Sequence, residues 1–89
     1  MAFNTVTVTT TATEIVAPNT KRLSLIVFNS GDEVVYIGQD NTVTIANGIP
    51  LNLDSSLTEE SGGTKMYCGP IYGIVGSGTS DVRYWERIR

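Results

Sequence analysis

The residues of this chain that could take part in chemistry are few, and they stand apart from one another. The sequence has no histidine and a single cysteine, Cys68. These counts exclude an intramolecular disulfide, a zinc site built from cysteine and histidine, and a nucleophile activated by histidine. A lone cysteine between Tyr67 and Gly69 is typical of a small buried hydrophobic residue, and we predict that Cys68 lies in the core.

The carboxylates and glycines offer no better candidate. Glu59 and Glu60 are adjacent in a polar segment where nothing nearby would raise the pKa of one of them, as an acid and base pair requires. The run "GIVGSG" from Gly73 resembles a phosphate-binding loop, but no helical pattern follows it to supply amide groups. Asp40 and Asp54 are isolated, as is typical of turns rather than of calcium-binding loops. We therefore predict a protein that is not an enzyme, with no catalytic residue, metal ligand or cofactor.

The charge and the apolar content narrow the range of partners. The net charge is −3, and the six lysine and arginine residues are scattered along the chain, whereas nucleic acids and anionic membranes are bound by clustered cations. No apolar run reaches the length of about 18 residues that indicates a membrane-spanning helix. The N-terminal "MAFNTVTVTT" lacks the basic start and apolar middle of a signal peptide. We expect no nucleic-acid or membrane partner, and synthesis in the cytoplasm.

The elements that must position any functional residue are strands. A chain of 89 residues predicts one domain, 1–89, because a chain of this length cannot support two hydrophobic cores. Near the N-terminus Val6 and Val8 alternate with threonines, which predicts a strand with one solvent-facing side. "RLSLIVFN" from Arg22 is largely apolar on both sides, which predicts a central strand covered on both faces. The turn "SGDE" would join it to "VVYIG" as a hairpin.

The next part of the chain predicts shorter strands separated by turns. Asn47-Gly48 is a strong turn motif. Pro50 has no N–H to donate, so the segment 49–53 is expected at a sheet edge or in a crossing between sheets. Leu57 is expected to anchor an otherwise polar loop.

The closing stretch "GPIYGIVGSGTSDVRYWE" predicts a hairpin of two further strands. Its last strand alternates two sets of side chains: Val82, Tyr84 and Glu86 on one side, and Arg83, Trp85 and Arg87 on the other. The whole chain then holds seven or eight short strands, spaced by roughly 8–12 residues, and no convincing helix. We predict an all-β fold, a small antiparallel β-sandwich or barrel, with a jelly roll among the topologies that this pattern allows.

Two segments are candidates for a partner surface. The N-terminal strand lacks the lysines and prolines that guard exposed strand edges, so its residues are candidates for pairing with another strand: Asn4, Thr5, Val6, Thr7, Val8 and Thr9. In the closing strand, Arg83, Trp85 and Arg87 share one side, and Arg and Trp often contribute most of the energy of an interface. A core Trp85 flanked by solvated arginines is the alternative.

Three stretches carry a resemblance to a known class of protein: "TVTVTTTATEIVAPNTKRLSLIVFNSGDEVVYIG", "NGIPLNLDSSLT" and "GPIYGIVGSGTSDVRYWE". They resemble small all-β proteins encoded among the structural genes of tailed bacteriophages and prophages, which similarly open with a threonine and valine strand and close with an "SGTSDVR"-like segment. The resemblance covers nearly the whole chain and is one of pattern. It implies a virion structural protein made in the host cytoplasm, such as a capsid decoration or cement protein that adheres across capsid subunits.

The expected partners are the major capsid protein or another virion protein. We also expect a homo-oligomer, because a domain this small with neither disulfide nor metal has limited stability of its own. The alternative function is a carbohydrate- or receptor-binding module, displayed on a virion head or tail fibre, that uses exposed tyrosine and tryptophan rings. Coplanar exposed rings would favour the alternative, whereas a flat apolar patch beside an unpaired strand would favour adhesion.

Overall fold

Strands provide the regular structure of the computed structural model, which describes residues 2–60 and 67–89 and, for residues 2, 3 and 60, the backbone alone. Within those ranges there are eight strands and no helix. The strands are β1 Ala2–Val8, β2 Thr13–Val16, β3 Arg22–Asn29, β4 Val35–Gly38, β5 Ile49–Leu51, β6 Ser56–Glu60, β7 Ile71–Ile74 and β8 Ser80–Ile88. The predicted all-β fold of seven or eight short strands is confirmed.

The eight strands form two antiparallel sheets of four strands each. Sheet I has the order β1-β8-β3-β6, and sheet II has the order β2-β7-β4-β5. The first strand therefore pairs with the last, the second with the seventh, the third with the sixth and the fourth with the fifth, as if one long hairpin had been rolled into two sheets. This is the strand order of a jelly roll, and the two packed sheets confirm the predicted sandwich.

The two sheets enclose a core of aliphatic side chains. The core residues come from both sheets: Val8, Ile15, Val16, Leu25, Val27, Val35, Ile37, Leu51, Ile71, Val75 and Val82. Leu57, Tyr67 and Tyr84 pack against its margin. Because successive side chains of a strand point to opposite faces, the residues between these core positions lie on the outer sides of the sandwich.

The N-terminal alternating run is divided between the two sheets. β1 ends at Val8 in sheet I, and β2 begins at Thr13 in sheet II. Between β1 and β2, the hydroxyl of Thr9 donates a hydrogen bond to the carbonyl of Thr11 and accepts one from the N–H of Thr11. Local bonds of this kind compete with the strand ladder, so the strand ends within the threonine run.

Two predicted hairpins are wrong, because β3 and β4 lie in different sheets, as do β7 and β8. The connection after β3 crosses to sheet II because of Asn29, the last residue of β3. The side chain of Asn29 is fully buried and forms hydrogen bonds with other segments at the end of the sandwich. Its Nδ2 donates to the carbonyls of Glu33 at 2.8 Å and Leu51 at 3.0 Å. Its Oδ1 accepts from the N–H of Gly31 at 3.1 Å and the hydroxyl of Ser80 at 2.8 Å. The same side chain therefore also holds the start of β8.

Other local predictions are confirmed. β3 is central in sheet I, and β5, which contains Pro50, lies at the edge of sheet II. The turn at Asn47-Gly48 forms, with the N–H of Gly48 donating to the carbonyl of Thr44 at 2.9 Å. Leu57, by contrast, lies in β6 opposite Val27 rather than in a loop, because its side chain packs against the core margin.

Candidate interaction surface

β8 runs through the interior of sheet I and separates two kinds of side chain. Its inward residues are buried or pack against the core: Ser80, Val82, Tyr84 and Glu86. Its outward residues are exposed: Asp81, Arg83, Trp85 and Arg87. The predicted alternation is therefore confirmed. Trp85 is 50% exposed, so the alternative of a core tryptophan is wrong.

The neighbouring strand extends this exposed side with apolar residues. Ile26 of β3 is the ladder partner of Trp85 and is 37% exposed, and the half-buried Phe28 is the partner of Arg83. Partners across a ladder have Cβ atoms about 5 Å apart, so these side chains form one surface. We define the outer patch as Ile26, Phe28, Arg83, Trp85 and Arg87.

The outer patch overturns the prediction that β3 is covered on both faces. Leu25 and Val27 are buried under sheet II, but the opposite side of β3 carries Ile26 and Phe28 toward solvent. A sandwich of two sheets covers one face of each sheet, and the described part of the chain supplies no further layer over sheet I. Apolar residues on an uncovered sheet face are typical of a protein interaction site.

The outer patch is cationic although the chain as a whole is acidic. Two of the six basic residues, Arg83 and Arg87, lie in it, while the net charge of the chain is −3. Among the side chains that the structure describes, the one ion pair joins Arg22 to Glu86 in the interior. No described carboxylate therefore forms an ion pair with Arg83 or Arg87. The outer patch therefore complements an apolar surface that carries carboxylates.

The inward side of the same strands is held by a buried arginine. Arg22, the first residue of β3, is 2% exposed, and its Nε donates to Oε2 of Glu86 at 2.6 Å. Its Nη1 donates to the carbonyls of Tyr67 and Gly69, both at 3.0 Å, and its Nη2 donates to the carbonyl of Ala17 at 2.9 Å. One side chain thus ties the ends of β3 and β8 to two connecting segments and keeps the outer patch in place.

Sequence reasoning missed this interior pair. The alternation of the closing strand places Glu86 on the same side as Val82 and Tyr84, and a carboxylate on an otherwise apolar side requires a cationic partner. That requirement indicates that one cationic side chain lies inside, and the structure shows that it is Arg22.

β1 lies beside β8 at the edge of sheet I, so the two predicted partner surfaces are contiguous. Thr5 is the ladder partner of Arg83, and a surface groove of about 370 Å³ is lined by Asn4, Thr5, Arg83 and Tyr84. The other candidate residues differ in exposure: Thr7 is exposed, and Val6 and Thr9 are half-buried. Val8 is fully buried in the core, so a partner can reach only its backbone.

Part of the outer side of sheet II, along β4, is covered by the chain itself. The covering loop, residues 39–48, joins β4 to β5, and its Val43 is buried. A Cβ added to Gly38 would lie 2.6 Å from Cβ of Val43, and one added to Gly48 would lie 2.7 Å from Cβ of Tyr36. The loop therefore rests directly on β4, at two points where a glycine allows the close approach.

The aromatic rings are distributed over both sheets. The described rings occupy three positions: the outer side of sheet II (Tyr36 and Tyr72), the core margin (Tyr67 and Tyr84) and the outer patch (Phe28 and Trp85). The hydroxyl of Tyr67 donates to the carbonyl of Pro70 at 2.6 Å. Burial raises the pKa of Tyr67, an effect that the charge of Arg22 opposes. The described tyrosines and Trp85 therefore do not form one flat platform for a sugar ring.

The isolated reactive groups are placed apart from one another. Cys68 is half-buried and so does not lie in the core as predicted. Glu59 is half-buried in β6 rather than in a loop, and the side chain of Glu60 lies outside the described part. Asp40 accepts hydrogen bonds from the hydroxyl and the N–H of Thr42, which lower its pKa, as expected for a turn. Within the described residues there is no group of three or more side chains that could hold a metal ion.

The glycine-rich run has a structural role. Gly73 faces the core, where an added Cβ would lie 2.8 Å from side-chain carbons of both Ile15 and Val35. Gly78 has a φ of 67°, a conformation that favours glycine. A strand, β8, begins at Ser80, in place of the helix that a phosphate-binding loop requires.

Comparisons with known proteins give no indication of function, so the interpretation of the site depends on its geometry. No protein-family model, curated protein or solved structure matches this chain. Residues 2–60 and 67–89 include no helix that could span a membrane. The candidate site is thus an apolar and cationic sheet face beside an edge strand.

Proposed function

We propose that the protein is a non-enzymatic structural component of a bacteriophage virion, a decoration or cement protein that stabilises the capsid by adhering across its subunits. The outer patch is the observation that carries the proposal, because Ile26 and Trp85 lie side by side and exposed on a sheet face that the described chain leaves uncovered. An apolar patch beside an edge strand favours adhesion over the alternative.

The composition of the outer patch supports a role in adhesion. Docking Ile26 and Trp85 on a shell removes apolar area from water, at about 25 cal/mol for each Å². Arg83 and Arg87 pair with carboxylates of the shell, which orients the protein and speeds its association. When one copy contacts two capsid subunits, separating them breaks these contacts as well, so binding raises the free energy of disassembly.

The position of the rings supports adhesion over carbohydrate binding. A sugar-binding face needs several exposed rings that lie together, whereas Tyr36 and Tyr72 are on the side of the sandwich opposite Trp85, and Tyr84 faces the core. Phe28 lies beside Trp85 in the outer patch but is half-buried, which leaves Trp85 as the exposed ring there. Jelly rolls serve many functions, so the fold carries no part of this choice. The resemblance to phage structural proteins supports the virion setting, with synthesis in the host cytoplasm and the major capsid or another virion protein as partner.

The proposal is tested with particles that lack this protein. Purified protein is added to particles from a phage in which its gene is deleted, and cosedimentation and the temperature of capsid disruption are measured. We expect the protein to sediment with the particles and to raise the disruption temperature. Protein that stays in the supernatant and leaves that temperature unchanged contradicts the proposal. Binding to host-cell glycans without any binding to particles would instead support the carbohydrate-binding alternative.

A further inference from the structure

The four edge strands of the sandwich differ in how well they resist pairing with another chain. β2 has four residues, an irregular ladder and a charged Glu14, and β5 has three residues and contains Pro50. β6 ends with the two carboxylates of Glu59 and Glu60. Short length, irregularity, charge and proline are the devices that block edge pairing. β1 has seven residues with neither charge nor proline, so it is the unguarded edge.

The backbone of β1 offers an edge to a further strand, where the N–H of Thr5 now donates to Oδ1 of its own neighbour Asn4 at 2.8 Å and would exchange that local bond for one to the new strand. All seven residues pair with β8 in an unbroken register, which keeps β1 straight and regular. Alternate N–H and C=O groups of an edge strand point away from the sheet, and no strand of the described chain lies on that side of β1. Pairing with a second strand of equal length would form about six to eight backbone hydrogen bonds.

We propose that β1 pairs with β1 of a second copy of this chain, antiparallel, about a two-fold axis that passes midway between the two Thr5 residues. Thr5 is the middle residue of Ala2–Val8, so this register overlaps the two strands completely. It places Thr5 opposite Thr5, and threonine pairs are favourable across a ladder. Because β1 has no charge, none of its residues meets a like charge, whereas pairing two β6 strands would bring glutamates together. A second copy therefore fits this edge.

The two-fold axis has a consequence for the outer patch. An axis perpendicular to the sheet keeps the outer sides of both copies on the same side, so the two four-stranded sheets I join into one of eight strands. Both Trp85 side chains then face the same direction, and two copies of the outer patch can engage one surface at once, which strengthens binding without any new contact. The pairing itself does not depend on the proposed function.

Substitutions at Thr5 test the pairing by charge. Thr5 is exposed and lies opposite Arg83, so Thr5→Glu gains a favourable neighbour within the monomer but opposes a second glutamate in the dimer. By sedimentation equilibrium we expect the wild type to be a dimer and Thr5→Glu and Thr5→Lys each to associate at least tenfold more weakly. An equimolar mixture of the two variants should recover the dimer. Thr58→Glu, on the exposed side of the other edge strand of sheet I, is the matched control and should stay dimeric.

A disulfide test gives an answer that does not depend on charge. Directly opposed residues of an antiparallel ladder have Cα atoms about 4.5–5.5 Å apart, a separation that a disulfide can span. In a Cys68→Ser background, Thr5→Cys should form a covalent dimer on mild oxidation, whereas Thr58→Cys should not. A wild type that stays monomeric at about 100 µM, or a Thr5→Glu variant that dimerises as tightly as the wild type, overturns the proposal. If a monomeric wild type loses particle binding on Thr5→Glu substitution, β1 pairs with the shell and not with a second copy.

Discussion

The two outer sides of this sandwich are built from the same kind of alternating strand, yet the chain treats them differently. On sheet II, the covering loop lies across β4, with buried Val43 against Gly38 and with Gly48 against Tyr36. On sheet I, Ile26 and Trp85 lie side by side in solvent. The loop covers β4 of sheet II, whereas no described segment covers the outer side of sheet I.

This difference indicates which side of the molecule is available to a partner. Covering sheet II required a ten-residue connection, residues 39–48, with glycines where it meets the strand. No comparable connection crosses sheet I in the described part of the chain. Its outer side instead carries tryptophan and arginine, the residue types that are enriched at the energetic centres of interfaces. The open side is therefore the one that we expect to bind.

The largest effect is expected in the interior that both sides share. Arg22→Ala leaves the carboxylate of Glu86 buried without its partner and leaves three backbone carbonyls without a donor. We expect a loss of about 3–5 kcal/mol in the free energy of unfolding, measured by urea denaturation. Arg87→Ala, on the exposed side of β8, is the control and should cost less than about 0.5 kcal/mol. Equal losses in the two variants would mean that Arg22 does not hold the two strands together.

Removal of the Trp85 ring should weaken binding to particles and leave the fold intact. Trp85→Ala should weaken particle binding by about 2 kcal/mol or more, which is roughly thirtyfold, as for a residue at the centre of an interface. Binding is measured by cosedimentation over a range of concentrations, and thermal unfolding should show a fold that remains intact. Tyr72→Ala, on the outer side of sheet II, is the matched control and should bind particles as the wild type does. Loss of binding in Tyr72→Ala alone would exchange the roles of the two sides.

A change in the covering loop should affect stability without affecting binding. Val43→Ala removes buried methyl groups that pack over β4, and we expect a loss of about 1–2 kcal/mol in the free energy of unfolding. Ile45→Ala changes an exposed residue of the same loop, so it should have almost no effect. Particle affinity should be unchanged in both variants. A loss of affinity in Val43→Ala would place the contact on sheet II.

The smallest effect is expected from the charges of the outer patch. Replacing both Arg83 and Arg87 by glutamine keeps most of the apolar contact but removes two charges from a solvent-exposed rim. We expect particle association to slow several-fold at low salt, with the difference from wild type shrinking as salt screens the charges. Stopped-flow or surface-based rates at two salt concentrations measure this. A salt-independent difference would mean that the guanidinium groups act by shape and packing.

Much of the fold could be predicted because alternation along a strand is a local property. The prediction for the closing strand is confirmed, with Arg83, Trp85 and Arg87 on one side, as is the edge position that Pro50 predicts for its strand. The alternation of side chains along a strand divides them between two sides, but it does not indicate which of these sides another sheet or loop covers. The exposure of Trp85 and of the outer side of β3 therefore followed only from the sheet order.

The errors arose where long-range contacts decide the path of the chain. A turn such as "SGDE" has the same composition whether the next strand stays in the sheet or crosses to the other one. Here the side chain of Asn29 decides, because it bonds to Leu51 and Ser80, which are 22 and 51 residues away along the chain. The buried Arg22 and the covering loop on sheet II likewise depend on partners that are distant in sequence.

The central claim, that the outer patch is the adhesive surface, is tested most directly by oxidative footprinting of the protein on its particles. Trp85 is the only tryptophan of the chain, so mass spectrometry can follow its modification without ambiguity within this chain, and Tyr72 reports on the outer side of sheet II. We expect binding to particles to lower the oxidation rate of Trp85 at least several-fold while that of Tyr72 stays as in the free protein. A Trp85 that is oxidised equally fast in the bound and free protein, with Tyr72 protected, would contradict the account.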